Sequence, residues 1–569
     1  MLILSVHAAA HDSAAALFRD YDLLAAVQQE RLTRSKGAGG LPIAAIDEVL
    51  SIAGVGRREV EVLVLTRAQY PVRFFNLGSY KRLEDRANRL LGKERNKDVV
   101  NEMLRAGVDD ADVVFDAGAL LRHLGLNESI PVFFSHHHLA HALSALFHTD
   151  WDDALVYTAD GGGDNVHYSH RLLRDGALSC LFGDDRWLAQ PRRIDSLGLA
   201  YGYATQALGF RMNRHEGKLT GLAAFGKPVV ADAIGSHFRV DAEGRIDSDF
   251  ASNQVMRATI AALARECEPA DMAASIQLVL EEKIAASVQN LLRRHGPRHL
   301  AVAGGVFANV RLNRLLCEET ALDEMFIFPA MGDEGLVVGG ALQFLLQRDG
   351  LRTWLSRRRR LDDVYWGRDY NETIDRLLAT HPDLRVLSGN PAALTVDFLT
   401  RGLVGAIYQG RMEFGPRALG ARSILASPSD AAVNARLNAR LARSEFMPFA
   451  PYVLDEDAAE VFAISAANRY ACRFMTITAA VREKWRARIP AVVHVDGTAR
   501  PQIIDRGTNP LYARILSGFK EATGLPVLIN TSFNAHEEPI INTPGDCRQA
   551  LLDDRVDFVV TRNDVYCRR

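Results

Sequence analysis

An α/β fold in two domains is what this sequence predicts, and three observations carry the prediction. The chain has 569 residues, more than one ordinary core accommodates. Short apolar runs such as residues 61–66 (EVLVLT) and 300–303 (LAVA) alternate with long helical stretches such as residues 271–294, the pattern of sheets covered by helices. The basic run SRRRRLDD at 356–363 interrupts this alternation and is followed by motifs of a different kind. The expected division is a first domain over 1–350, a basic linker over 351–362 and a second α/β domain over 363–569.

Composition narrows the function classes. With 67 basic against 70 acidic residues, nothing in the overall charge calls for nucleic acid or a membrane surface as partner, and small-molecule chemistry is the better expectation. The four arginines 357–360 have no interleaved aromatic platform, so they read as a solvated edge. Six scattered cysteines without a CxxC pair suit free thiols in the cytoplasm. The start MLILSVHAAAHD has no basic leader and reads as a first core strand, and no apolar run reaches the about 18 residues that a membrane span needs. Length and apolar helices are compatible with a homodimer.

Taken in chain order, the opening LILSVHAAAHDSAAALFRDYDLLAAVQQE reads as strand, turn, strand, turn, strand, which resembles the hairpin start of an actin or sugar-kinase type ATPase fold. Residues 28–37 and 70–116 are expected to line the side from which a substrate enters, although their arginines and lysines suit a solvated face equally. The run HHHLAHA (136–142) places His137 and His141 four apart, on one face of a helix, where both imidazoles can reach one cation. A strand over 153–158 leads to Asp160 in TADGGGD (158–164), expected as a buried turn, and Asp333 in PAMGDEGLVVGGA offers a second oxygen ligand. The bland alternative is a surface helix that happens to be rich in histidine.

Further on, NRHEGKLTGLAAFGKP sets Lys218 and Lys227 among glycines, as a phosphate-facing loop or a plain solvated connection. AGGVFANVRLN puts Gly304 and Gly305 after a strand and Asn309 at the start of a helix, an arrangement that lets a nucleotide phosphate approach the backbone and that also suits a tight turn. In the second domain, GRMEFGPRALGARSILASPSD offers Arg411, Arg417 and Arg422 as fork-shaped donors for phosphate or carbamoyl oxygens. HVDGTARPQ adds Asp496, Thr498 and Arg500, and LPVLINTSFNAHEEPI leads a strand into Asn530, Thr531, Ser532 and Asn534. A structural turn is the competing reading of each segment.

In order, HDSAAAL, QQERLTRSK, HHHLAHA, TADGGGD, EGKLTGLAAFGKP, AGGVFANVRLN, GDEG, GRMEFGPRALGARS, HVDGTARPQ and NTSFN resemble the O-carbamoyltransferase family, which includes nodulation-factor and antibiotic-tailoring carbamoyltransferases. The resemblance implies an actin-like first domain similar to the tRNA threonylcarbamoyl-transfer ATPases and a second domain similar to threonylcarbamoyl-AMP synthase. It implies synthesis of carbamoyl adenylate from carbamoyl phosphate and ATP, then transfer of the carbamoyl group to a hydroxyl of a sugar or natural product. By position, His137, His141, Asp160 and Asp333 match the family's metal ligands, with iron(II) or another divalent ion expected. His11 matches the base toward the acceptor hydroxyl, a role suited to a histidine near its ordinary pKa of about 6.5. Arg417, Arg500, Asn530 and Ser532 match carbamoyl phosphate or adenylate contacts.

One segment departs from the family. Where many relatives carry three cationic positions, RLARSEFMPFAP keeps Arg443 and has Leu441 and Met447 at the other two, which weakens the expected hold on carbamoyl phosphate. Two other readings therefore stand beside the leading one. One is a nucleotide- and metal-binding regulatory protein without transfer activity; the other is carbamoyl or threonylcarbamoyl transfer to tRNA or protein, against which the balanced charge counts.

Overall fold

The computed structural model describes residues 1–76, 95–188, 190, 193–443 and 448–569. Contacts divide the chain into two units: Met1–Gly198 with Ala301–Val306 and Ala330–Leu361, and Leu199–Leu300 with Phe307–Pro329 and Asp362–Arg569. This differs from the division into 1–350 and 363–569, because segments between 199 and 329 pack with the C-terminal third. Asn313 donates to the Thr476 carbonyl at 2.7 Å, and Phe326 stacks on Tyr470 with ring centroids 4.4 Å apart.

In the first unit, Leu2–His7 pairs antiparallel with Ala14–Arg19, which pairs antiparallel with Asp22–Gln28; on its other side Leu2–His7 runs parallel to Val62–Thr66, which runs parallel to Val132–Ser135. This is the mixed, hairpin-led sheet that the opening residues predict. Every residue of Leu2–His7 is buried, so the strand is covered on both faces, with Leu2, Leu4 and Val6 on one and Ile3, Ser5 and His7 on the other. The register brings His7, Thr66 and Ser135 together at the carboxyl ends of the parallel strands, where open α/β sheets place their ligands.

The helix His137–Phe147 starts directly after that edge. His136 is its N-cap, accepting from the Leu139 N–H at 3.2 Å, and Asp164 accepts from the His137 N–H at 2.5 Å. The strands Ala154–Gly163 and Val166–Arg174 pair antiparallel and are joined at Asp164 and Asn165, both at positive φ (49° and 62°), as a tight hairpin requires. Residues 158–163 thus continue the strand, and the turn expected over 158–164 is confined to its end. The period of two that marks a strand is hidden there by three glycines.

All of the expected linker over 351–362 except Asp362 belongs to the first unit. The helix Leu336–Ser356 runs into it, bent at Gly350 (φ 77°), and the arginines beyond are tied down. Arg358 donates to the Trp151 carbonyl at 2.5 Å, and Arg359 and Arg360 pair with Asp22 and Asp150 at 3.2 and 3.0 Å.

The second unit holds the long helix Pro269–His295 and an eight-stranded sheet. The sheet order is Leu384–Leu387, Val565–Arg568, Phe558–Val560, Gly405–Tyr408, Arg422–Ala426, Val527–Ser532, Ala450–Leu454, Gln502–Ile504. Its neighbours are antiparallel except Gly405–Tyr408 with Phe558–Val560 and Ala450–Leu454 with Gln502–Ile504. Among the described residues no helix is long and apolar enough to cross a membrane.

Candidate functional site

In the first unit, His137, His141, Asp160 and Asp333 converge, their ligand atoms all within 4.8 Å of one another. His141 Nε2 lies 3.1 Å from Asp160 Oδ2 and 3.6 Å from Asp333 Oδ1; the corresponding distances from His137 Nε2 are 3.7 and 3.8 Å. Neighbouring donors around one cation with bonds of about 2.1 Å stand roughly 3.0 to 3.4 Å apart, so the four atoms are close to a ligand shell as they stand. His137 Nε2 and Asp333 Oδ1 are buried with no hydrogen-bond partner, a costly arrangement that a bound cation would resolve. Two imidazole nitrogens and two carboxylate oxygens fit a divalent ion such as iron(II) without selecting it over others.

Close packing sets this geometry. A Cβ on Gly163 would stand 2.2 Å from His137 Cγ, and one on Gly304 would stand 2.1 Å from the Ala159 carbonyl oxygen. The Gly305 N–H donates to Asp160 Oδ2 at 3.2 Å and the Gly161 N–H to Oδ1 at 2.5 Å. Gly304 and Gly305, expected at a phosphate, therefore also aim Asp160.

The electrostatics follow from the cluster. Burial pulls the His137 pKa down, but the facing carboxylates of Asp160 and Asp333, 3.7 and 3.8 Å from its Nε2, outweigh it and raise the value to about 9. Burial likewise opposes charge on Asp160, yet the facing His137 imidazole and the hydrogen bond from His141 hold its carboxyl well below the usual range. His11 Nδ1 lies 2.9 Å from Asp12 Oδ2, and this hydrogen bond, against the opposing effect of burial, raises the His11 pKa to about 9. The expected near-ordinary value is thus not found: the neighbouring Asp12 keeps the imidazole charged at neutral pH while Asp160 and Asp333 carry their full charge nearby.

The second unit holds the remaining predicted residues. Asn309 caps the helix Val310–Glu319 through the Leu312 N–H at 3.0 Å and exchanges two amide hydrogen bonds with Gln277, at 2.8 and 3.1 Å. Lys218 is buried on the helix Glu216–Leu222, where a loop was expected, with Nζ 6.0 Å from the Phe210 ring centre. Lys218 and Asn309 thus belong to a different unit from Gly304 and Gly305.

Arg443 reaches across the end of the strand Val527–Ser532, donating to Thr531 Oγ1 (3.1 Å), Ser532 Oγ (3.0 Å) and Asn534 Oδ1 (2.8 Å). Asn530 Nδ2 donates to Gln502 Oε1 at 2.6 Å and the Ala418 carbonyl at 3.3 Å, so its Oδ1 is a buried acceptor without a partner. This brings Asn530, Ser532 and Arg443 together beside the segments that carry Arg417 and Arg500, both half-buried. Two expected anion donors are spent on backbone. Arg422 is fully buried, donating to the Gln409 and Gly410 carbonyls at 2.7 and 3.0 Å, and Arg411 donates to the Gly367 and Trp366 carbonyls at 2.8 and 2.7 Å. Leu441 is a core residue with no exposure, whereas Met447 and residues 77–94 of the acceptor-side segment lie outside the described residues.

Three contributors escaped the sequence reading. Glu413 Oε1 accepts from the Leu419, Ala421 and Arg422 N–H groups and shapes the loop bearing Arg417. Gln502 orients the Asn530 amide. His7 is buried behind Asp333, and its place at the end of the strand before His11 was the available signal.

Residues 2–342 match the family model described as carbamoyltransferase N-terminus, and residues 396–568 match that described as carbamoyltransferase C-terminus. The chain is 34% identical to nodulation protein NolNO of Sinorhizobium fredii, covering 98% of this chain and 79% of the relative. It is 35% identical to nodulation protein NolO of Bradyrhizobium diazoefficiens over 74% of this chain and 77% of that one. Among solved structures, HypF of T. kodakarensis matches at 15% identity and a TM-score of 0.35, covering 62% of this chain and 48% of HypF.

Proposed function

The chain belongs to the carbamoyltransferase family, and from that premise we propose that it makes carbamoyl adenylate from carbamoyl phosphate and ATP and passes the carbamoyl group to a hydroxyl of a sugar or other small molecule. The observation that carries this reading is the convergence of His137, His141, Asp160 and Asp333. In the first half-reaction carbamoyl phosphate, water and ATP give carbamoyl adenylate, phosphate and pyrophosphate. In the second, the acceptor oxygen forms a bond to the carbamoyl carbon and the bond to AMP breaks.

The second unit supplies the first half-reaction. Arg417 and Arg500 offer fork-shaped donors for phosphate oxygens, and Arg443 holds Thr531, Ser532 and Asn534 in place beside them and adds its positive charge. The unpartnered Asn530 Oδ1 suits the carbamoyl N–H₂, because Gln502 fixes which way the amide faces. In the first unit His137, His141, Asp160 and Asp333 would hold a divalent cation, which would supply positive charge for the phosphate oxygens of the adenylate and of departing AMP. Asp12 holds His11 through Nδ1, leaving Nε2 to take the acceptor's proton. Engagement of Asp160 and Asp333 removes two of the charges that keep His11 protonated. Six free thiols suit the cytoplasm.

The second reading, binding without transfer, draws on Leu441, whose burial leaves no cationic donor at that position. Pyrophosphate release from ATP that depends on carbamoyl phosphate, measured with iron(II) under anaerobic conditions, separates the two. The proposal expects release by the wild type and its loss in Arg417→Ala. A folded, ATP-binding wild type that releases none would leave the non-catalytic reading standing.

A further inference from the structure

His7 closes the strand Leu2–His7, is 1% exposed, and is used neither by the proposed cation nor by the acceptor. Its Nδ1 lies 2.9 Å from Thr66 Oγ1, and its Nε2 lies 3.9 Å from Asp333 Oδ2 with no hydrogen-bond partner. The two oxygens of Asp333 therefore face different ways. Oδ1 is directed at His137 and His141 Nε2, at 3.8 and 3.6 Å, while Oδ2 is directed at His7.

We propose that His7 is a positioning residue for the cation site: its Nε2–H is directed at Asp333 Oδ2 and so presents Oδ1 to the ion. The inference rests on the reading that these four residues bind a divalent cation. The chemistry fixes the tautomer. A Thr66 hydroxyl donating to Nδ1 leaves the proton of the neutral ring on Nε2, facing a carboxylate oxygen, whereas the other tautomer would set a lone pair against that oxygen. An N–H held against the outer oxygen limits rotation of the carboxylate and keeps the inner oxygen available, which is how groups behind metal ligands raise affinity. Thr66 is itself anchored, since its carbonyl accepts from Tyr70 O–H at 2.9 Å and its strand is paired on both sides. The chain Thr66, His7, Asp333 thus runs from the sheet to the site.

The test is calorimetric titration of the cation-free, full-length protein with cobalt(II) alone, together with X-ray absorption of the loaded protein. His7→Phe keeps the ring volume and removes the N–H; His7→Gln keeps an N–H donor of similar reach; Thr66→Val removes the hydroxyl that sets the tautomer. The expected result is an affinity about 10- to 100-fold lower in His7→Phe, mostly recovered in His7→Gln and intermediate in Thr66→Val, with the number of nitrogen ligands unchanged. Wild-type affinity in a folded His7→Phe would overturn the proposal, as would loss of one nitrogen ligand, which would make His7 a ligand instead. If His7→Phe does not fold, the same decision rests on Thr66→Val. No cobalt binding by the wild type would sink the cation site itself, whereas binding that is indifferent to His7 and Thr66 would sink only this inference.

Discussion

Gly339 lies against the Ala140 carbonyl so closely that a Cβ on it would stand 1.8 Å from that oxygen. The contact locks Leu336–Ser356 to His137–Phe147, and so fixes Asp333, just before the first helix, relative to His137 and His141 on the second. Gly339→Ala must push the two helices apart. The expected outcome is a stability loss of about 1 to 3 kcal/mol in denaturant unfolding, with weakened cobalt(II) binding. Unchanged binding would separate the helix contact from the cation site.

The pH dependence of cation binding follows from His137. In the cation-free protein its pKa is raised to about 9 against about 6.5 in the unfolded chain, so its ion pairs stabilise the fold fully below pH 6.5 and that contribution is lost as pH rises through 9. A cation must displace that proton. Apparent cobalt(II) affinity should therefore climb about tenfold per pH unit between roughly 6.5 and 9 and then level off. Titrations at several pH values check this, and a flat profile across that window would contradict it.

Arg443→Lys tests the hold on the anion site. One guanidinium spans Thr531, Ser532 and Asn534, and an ammonium cannot reproduce that fork. The expected outcome is a KM for carbamoyl phosphate at least about tenfold higher in the pyrophosphate assay, with cobalt(II) binding in the other unit unaffected. An unchanged KM would confine Arg443 to a structural role.

Asn309→Ala should cost about 2 kcal/mol or more in chemical denaturation, because it removes a helix cap and leaves the buried Gln277 amide short of partners. A change under about 0.5 kcal/mol would show that the cap contributes little, and would return Asn309 to the nucleotide reading.

Much of this was legible in the sequence, for identifiable reasons. The four-residue spacing of His137 and His141 fixes their common face on any helix, and the apolar run at residues 2–6 admits little but a buried strand. What could not be read was where backbone acceptors lie. Arg411 and Arg422 look like anion donors until the carbonyls of Trp366, Gly367, Gln409 and Gly410 are seen to occupy them. The partners of Asn309, the Leu312 N–H and the Gln277 amide, were equally out of sight. The raised His11 pKa is not legible because the turn that folds Asp12 onto it (φ 57°) leaves no trace in composition. Residues 351–362 resembled a linker because their acidic partners, Asp22 and Asp150, are far away in sequence.

The measurement that tests the central claim most directly is anaerobic titration of the cation-free chain with iron(II), wild type against His141→Ala and Asp333→Asn. The account predicts one equivalent bound by the wild type and an affinity reduced at least about 100-fold in His141→Ala, with a smaller loss in Asp333→Asn, which keeps one oxygen. Undiminished binding in a folded His141→Ala would contradict it.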